Sequence, residues 1–253
     1  MKNLVIIISL LILAISAQAQ LAQQESMMEQ ANLAYSSEDY STAVSHYESV
    51  LASDYESAGL YFNLGNAHFK LGNIPAAILN YEKARKIDPT DENIHFNLDL
   101  ANSRIIDKME PIPEFFLRTW LKMTRDVFSS DQWAKLVIIG FILSLFAIAI
   151  FIISRTVVMR KLTFWTGIAC FTITLSSLLF SLSGYQEYSS QSSAIIFTPT
   201  VTVKSSPSES SVDLFVIHEG TKVNIIDLVE GWSEVRLANG NVGWIRTDTF
   251  RII

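Results

Sequence analysis

The sequence predicts three structural parts in series: an all-α helical-repeat array, a two-helix hairpin across a membrane, and a small all-β barrel. Three observations carry this reading. Upstream of its first long apolar run the chain aligns with itself at an offset of 34 residues. Two apolar runs, Ala134–Ile153 and Leu162–Ser183, each have about the twenty residues that a membrane-spanning helix needs. Residues 194–253 are short Val/Ile/Leu-rich segments broken by Gly, Asn and Ser, a β texture.

Composition narrows the function. Of the 253 residues 49% are hydrophobic and 17% charged, a balance that points to contact with lipid. A net charge of −6 and the absence of a basic stripe argue against nucleic-acid binding. Cys170 is the only cysteine, so neither an intramolecular disulfide nor a Cys-based zinc site can form. His46, His68, His95 and His218 have no metal-ligand spacing, and no nucleophile elbow, phosphate loop or dinucleotide fingerprint occurs. No catalytic residue, metal or cofactor is expected, and the chain reads as non-enzymatic.

The N-terminus, MKNLVIIISLLILAISAQAQ, reads as a signal peptide over residues 1–19, cleaved after Ala19. A retained anchor is the weaker alternative because the apolar run is short. The two later runs are separated by SRTVVMRK, residues 154–161, which holds Arg155, Arg160 and Lys161 and no acid, so this loop is expected in the cytoplasm. Arg118, Lys122, Arg125 and Lys135 at the far end of the first run leave charge alone undecided. The signal peptide decides it by delivering the N-terminal part outside. Acids, bases and histidines are absent from 136–153 and from 162–183, which argues against a pump or proton relay.

Within residues 20–110, Ala43, Tyr47 and Val50 recur as Ala77, Tyr81 and Ala84, and Tyr61-Phe62-Asn63-Leu64 recurs as His95-Phe96-Asn97-Leu98. The unit from Ala58 to Asp91 resembles the tetratricopeptide repeat at Tyr61, Leu64, Gly65, His68, Gly72, Ala77, Tyr81, Ala84 and Pro89. Gly65 and Ala77 are small where paired helices approach, and Pro89 ends the second helix. The first copy, Gln24 to Asp54, has Ala31 for the glycine and Tyr55 for the proline and reads as a degenerate cap; a last helix from Glu92 to Met109 is expected to cover the open end. The inner surface of such an array would present Phe62, Asn66, Phe69, Lys70, Phe96 and Asn97, with Asn66 and Lys70 exposed, a mixture suited to an extended peptide. Packing of the phenylalanines against neighbouring helices competes with that role. Phe62, Gly59 and Asn93 stand where a carboxylate clamp would have lysines, so no clamp is expected.

In the segment 111–133, Phe116, Leu117, Trp120, Leu121, Val127 and Phe128 recur at helical spacing opposite Arg118, Lys122 and Arg125, an amphipathic helix suited to a headgroup layer or to packing between domains. After a linker, 184–193, strands are expected at Val201–Lys204, Leu214–Ile217, Lys222–Val229, Trp232–Leu237 and Val242–Ile245, with Asn239-Gly240 supplying the positive φ angles of a tight hairpin. Val203, Pro207, Gly220, Trp232, Val235, Gly240, Gly243 and Trp244 resemble the bacterial SH3-like domain over residues 194–253. That resemblance makes Trp232 and Trp244 a candidate ligand surface, weighed against core and hairpin packing, and implies cell-wall peptides as an alternative ligand.

Signal peptide, tetratricopeptide units, hairpin and SH3-like tail, in that order, resemble the BatE family of the Bat aerotolerance proteins over the whole chain. The resemblance implies an inner-membrane protein with both soluble domains in the periplasm. Its implied partners are von Willebrand A domain membrane proteins, a MoxR-type ATPase and other Bat proteins.

Overall fold

The computed structural model describes residues 23–110, 112–113, 115–190 and 192–253. The expected signal peptide lies outside them. By internal contacts the chain divides into two units. One holds the described residues up to Ala84, Asn93–Met109 and Ser192–Ile253; the other holds Arg85–Glu92 and the described residues from Glu110 onward to the end of the last helix.

In the first unit, helices α1 (23–36), α2 (Tyr40–Leu51), α3 (Ala58–Lys70), α4 (Ile74–Ile87) and α5 (Glu92–Asn102) form the array. Each start has a local cause. Asp39 accepts the Thr42 N–H ahead of α2, and Ser57 accepts the Leu60 N–H ahead of α3. Gly72, at φ +78°, makes the turn into α4. The register expected from the repeat is present: a Cβ on Gly65 would lie 2.7 Å from the Tyr81 ring, and Ala31, its equivalent in the first copy, is fully buried.

Helix α4 is buried almost all round, from Pro75 through Glu82 and at Ala84. Ala77, Tyr81 and Ala84, on one side, belong to the helix-pair contact. Ile78 and Glu82, on the other, meet the β domain: a Cβ on Gly220 would lie 3.4 Å from Ile78, and Glu82 pairs with Lys222 at 2.9 Å. Ala77, Ile78, Leu79, Tyr81, Leu98 and Ala101 share a hydrophobic cluster with Ile195 and the C-terminal Ile253. The two soluble segments, separate in sequence, therefore share a core.

The β domain is a seven-stranded antiparallel sheet in the order β3-β2-β6-β5-β4-β1-β7. Its strands are β1 (Ser193–Ile196), β2 (Thr200–Lys204), β3 (Asp213–His218), β4 (Lys222–Val229), β5 (Trp232–Arg236), β6 (Val242–Arg246) and β7 (Phe250–Ile252). Val201, Val203, Ile217, Val223, Val235, Leu237 and Ile245 alternate inward to fill its core. All five expected strands are present, and β1 and β7 are additional. The hairpin at Asn239-Gly240 differs from expectation: only Gly240 has positive φ (+85°), and a loop over 238–240 is closed by the Leu237 N–H to Asn241 O bond, so left-handed geometry is needed at one residue. The two-residue turn with both φ positive is instead Glu230-Gly231, between β4 and β5.

The expected end of the last helix at Met109 is also corrected. α5 stops at Asn102, and beyond the exposed Ser103 and Arg104 the half-buried Ile105, Asp107 and Met109 meet the β domain, so tertiary contact overrides helical continuation.

The second unit contains α6 (Phe116–Arg125), α7 (Ser130–Ile153) and α8 (Val157–Ser189). α6 has its apolar side chains exposed, including Phe116, Trp120 and Leu121. Ser129 and Gln132 form a capping box that starts α7. α7 and α8 pair through small residues: Gly140 faces Thr174, Gly167 faces Ala147, and Ser130 and Ser181 exchange hydroxyl-to-carbonyl bonds at 2.9 and 3.1 Å. Only residues 154–156 connect them, so Arg160 and Lys161 lie in the opening turns of α8 rather than in a loop. Both helices are long and apolar enough to cross a membrane, and 17% and 11% of their most apolar windows are buried, far less than in a core helix of a soluble protein.

Candidate functional site

The 34-residue repeat reproduces a polar contact as well as an apolar one. The Tyr47 hydroxyl donates to Asn32 Oδ1 at 2.7 Å, and Asn63 Nδ2 donates to the same oxygen at 3.3 Å. One repeat on, the Tyr81 hydroxyl and Asn97 Nδ2 both donate to Asn66 Oδ1, each at 2.8 Å. Burial pushes the Tyr47 phenol up to about 12 and raises that of Tyr81 as well, so both remain protonated donors. Each acceptor amide thus has its oxygen fixed by the array. The Asn66 NH2 group has no acceptor among the described residues. Asn32 was not singled out from sequence, and Tyr47 and Asn63 only as repeated positions rather than inner-face candidates, although the same offset relates the three to Asn66, Tyr81 and Asn97.

The expected inner-face residues do gather on α3 and α5, in different states. Phe62 is half-buried with its ring 5.9 Å from that of Tyr81, and Phe69 is half-buried beneath the Arg104 guanidinium at 5.6 Å. Both pack on the cluster that contains Tyr81. Asn66, expected to be exposed, is half-buried in the amide–phenol network just described, which is a correction with a plain cause: its carbonyl serves the fold. Lys70 is exposed as expected. Of the expected inner-face residues Phe96 is the apolar side chain most open to solvent, 69% exposed, and Leu100 is exposed one turn later.

On α3, His68 is removed from the chemical candidates by its surroundings. Its Nδ1 is buried without a partner, and desolvation lowers its pKa, so it stays neutral.

In the β domain Trp232 is buried, 7% exposed, under the Arg246 guanidinium at 5.7 Å, which is a core position. Trp244 is half-buried on β6, across from Glu234 on one side and Lys204 on the other. Of the two tryptophans it is the one that offers surface. Among the described residues no group of three or more His, Cys, Asp or Glu side chains is placed to hold a metal ion.

Comparison with known families agrees with these two modules. The tetratricopeptide repeat family matches residues 28–92, and the bacterial SH3 domain family matches residues 199–250. Among curated proteins none matches the chain. Tetratricopeptide repeats and SH3 domains are interaction modules, so the chain carries an α-helical and a β interaction module together with two helices capable of crossing a membrane.

Proposed function

We propose that this chain is a membrane-anchored scaffold of a bacterial inner membrane that displays its repeat array and SH3-like domain in the periplasm and recruits a protein partner through the inner face of the array. The observation that carries the reading is the repeated Asn–Tyr–Asn contact beside the exposed Phe96, which offers amide donors and apolar area to an extended segment. Phe62, Asn66, Phe69, Lys70 and Asn97 form its floor and edge. The basic residues Arg155, between the two long helices, and Arg160 and Lys161, at the start of the second, support the topology together with the signal peptide expected from sequence. The order of parts, which resembles BatE, supports von Willebrand A domain membrane proteins and other Bat proteins as partners in aerotolerance or envelope stress.

The test is co-purification from detergent-solubilised membranes. Lys70→Ala combined with Phe96→Ala should leave the melting curve in place, because both side chains are exposed, and should cost on the order of 1 kcal/mol or more in partner binding. A double variant that retains every partner would reduce the array to a spacer.

A second reading has its own support. The bacterial SH3 match and the accessible Trp244 favour a cell-wall sensor that grips peptidoglycan. Sedimentation of the solubilised full chain with isolated wall sacculi, lost on Trp244→Ala, would move the function to the β domain.

A further inference from the structure

After α5 the chain runs as an irregular extended segment over residues 105–109, with alternate residues against the β domain. Ile105, Asp107 and Met109 are half-buried, while Ile106 and Lys108 are exposed. Ile105 Cγ2 fills the space next to Gly220, 2.5 Å from where a Cβ would stand, and Gly220 itself is at φ +83°. Asp107 Oδ2 accepts the backbone N–H of His218 at 2.6 Å and the Thr221 hydroxyl at 2.8 Å, and Oδ1 lies 2.9 Å from His218 Nδ1. Met109 packs on the hydrophobic core of the β domain.

Two features separate this arrangement from ordinary domain packing. The segment belongs to no strand of the sheet: Lys108 N–H bonds back to Ile106 O, and no backbone hydrogen bond described joins 105–109 to the β domain. It is held by side chains alone. The groups that hold it are those interaction domains use to read extended peptides: an outward N–H at the end of edge strand β3, a hydroxyl and imidazole for a carboxylate, a glycine that admits one side chain, and an apolar socket for another. Burial works against the Asp107 charge. The bonds from the His218 ring and backbone and from Thr221 outweigh it and hold the carboxyl below the usual range, so it is ionised at neutral pH.

We propose that residues 105–109 are an internal ligand seated in a peptide-recognition site of the β domain, formed by His218, Gly220, Thr221 and the part of the core that receives Met109, and that the site takes extended acidic peptides of the pattern apolar-x-Asp-x-apolar from another chain when the internal segment leaves. The site is distinct from the inner face of the array and stands whether or not that face binds a partner.

The probe is a fluorescent peptide carrying residues 105–110, titrated into the full chain in detergent. Asp107→Ala with Met109→Ser in the protein weakens the internal competitor, so the peptide should bind this variant at least tenfold more tightly than it binds the unaltered chain. A peptide with Asn in place of the aspartate should lose at least tenfold. Absence of saturable binding to a variant that keeps its tryptophan spectrum overturns the proposal. Should the variant not fold, hydrogen exchange in the unaltered chain decides: the His218 amide, bonded to Asp107, should exchange at least tenfold faster than the Ile217 amide of the same strand. Equal protection would mean the segment is a fixed part of the domain.

Discussion

The repeat array and the two-helix hairpin are both built from helices that approach through small residues, yet they place their large side chains on opposite sides. In the array the buried set includes Tyr47, Leu60, Leu64, Ile78, Tyr81, Ile94 and Leu98, and Gly65 gives Tyr81 its place between paired helices. In the hairpin the buried set is Gly140, Ser144, Ala147, Thr163 and Ser177, while Ile138, Phe141, Ile142, Leu145 and Phe146 are exposed. Water drives large apolar groups inward in the first case. In the proposed membrane, where lipid would be the surrounding solvent, no such drive exists, and close backbone approach and hydroxyl contacts would hold the pair. The same residue type therefore means different things in the two regions: an exposed isoleucine is incidental on one helix and the solvent contact of the other.

The largest effect should come from inverting that contact. Ile142→Lys, near the middle of α7, should cost roughly 3–4 kcal/mol of insertion and remove the chain from carbonate-washed membranes. Leu71→Lys, at the similarly exposed end of α3, should change stability by less than about 0.5 kcal/mol. Equal tolerance at both sites would make the hairpin an ordinary aqueous helix pair.

Gly65→Leu drives a side chain into the Tyr81 ring and should destabilise the array by about 3 kcal/mol, read as a fall in the array's melting temperature. An unchanged transition would place the close contact elsewhere. Removing one phenol is milder. Tyr81→Phe leaves Asn66 Oδ1 with Asn97 alone and should cost about 1 kcal/mol, with a similar loss for Tyr47→Phe at the equivalent site. If only one of the two responds, the copies are not energetically equivalent.

The smallest effect is one of pH. The unfolded chain protonates His68 near 6.5 and the folded chain does so only at lower pH, so protons favour unfolding in this window. Stability should be fully present above about pH 6.5 and decline as pH falls below it, and His68→Phe should flatten that part of the melting temperature profile. A steeper decline in the variant would assign the effect to other groups.

Much of the fold was legible because it is periodic. Gly65, Ala77 and Tyr81 follow from a repeat, and the hairpin from the length of two apolar runs. What escaped is short or non-local. β1 and β7 have four and three residues, too few to show alternation, and they pair with each other across the domain. Nothing in α4 announces that Glu82 is buried, because its partner Lys222 lies in a different domain of the sequence. The candidate site was legible as a set of residues on inner helices but not as states: an amide at Asn66 is visible in sequence, its bonds to Tyr81 and Asn97 are not. The segment 105–109 was read as helix because local pattern says nothing of the β domain that Ile105, Asp107 and Met109 meet.

The most direct test of the anchored scaffold is a labelling experiment in intact spheroplasts with a membrane-impermeant thiol reagent, in a Cys170→Ser background. Ser45→Cys in α2 and Ser208→Cys between β2 and β3 are exposed and should react, while Thr156→Cys between α7 and α8 should react only after lysis. Labelling at Thr156→Cys with protection of the other two sites would turn the scaffold toward the cytoplasm and contradict the account.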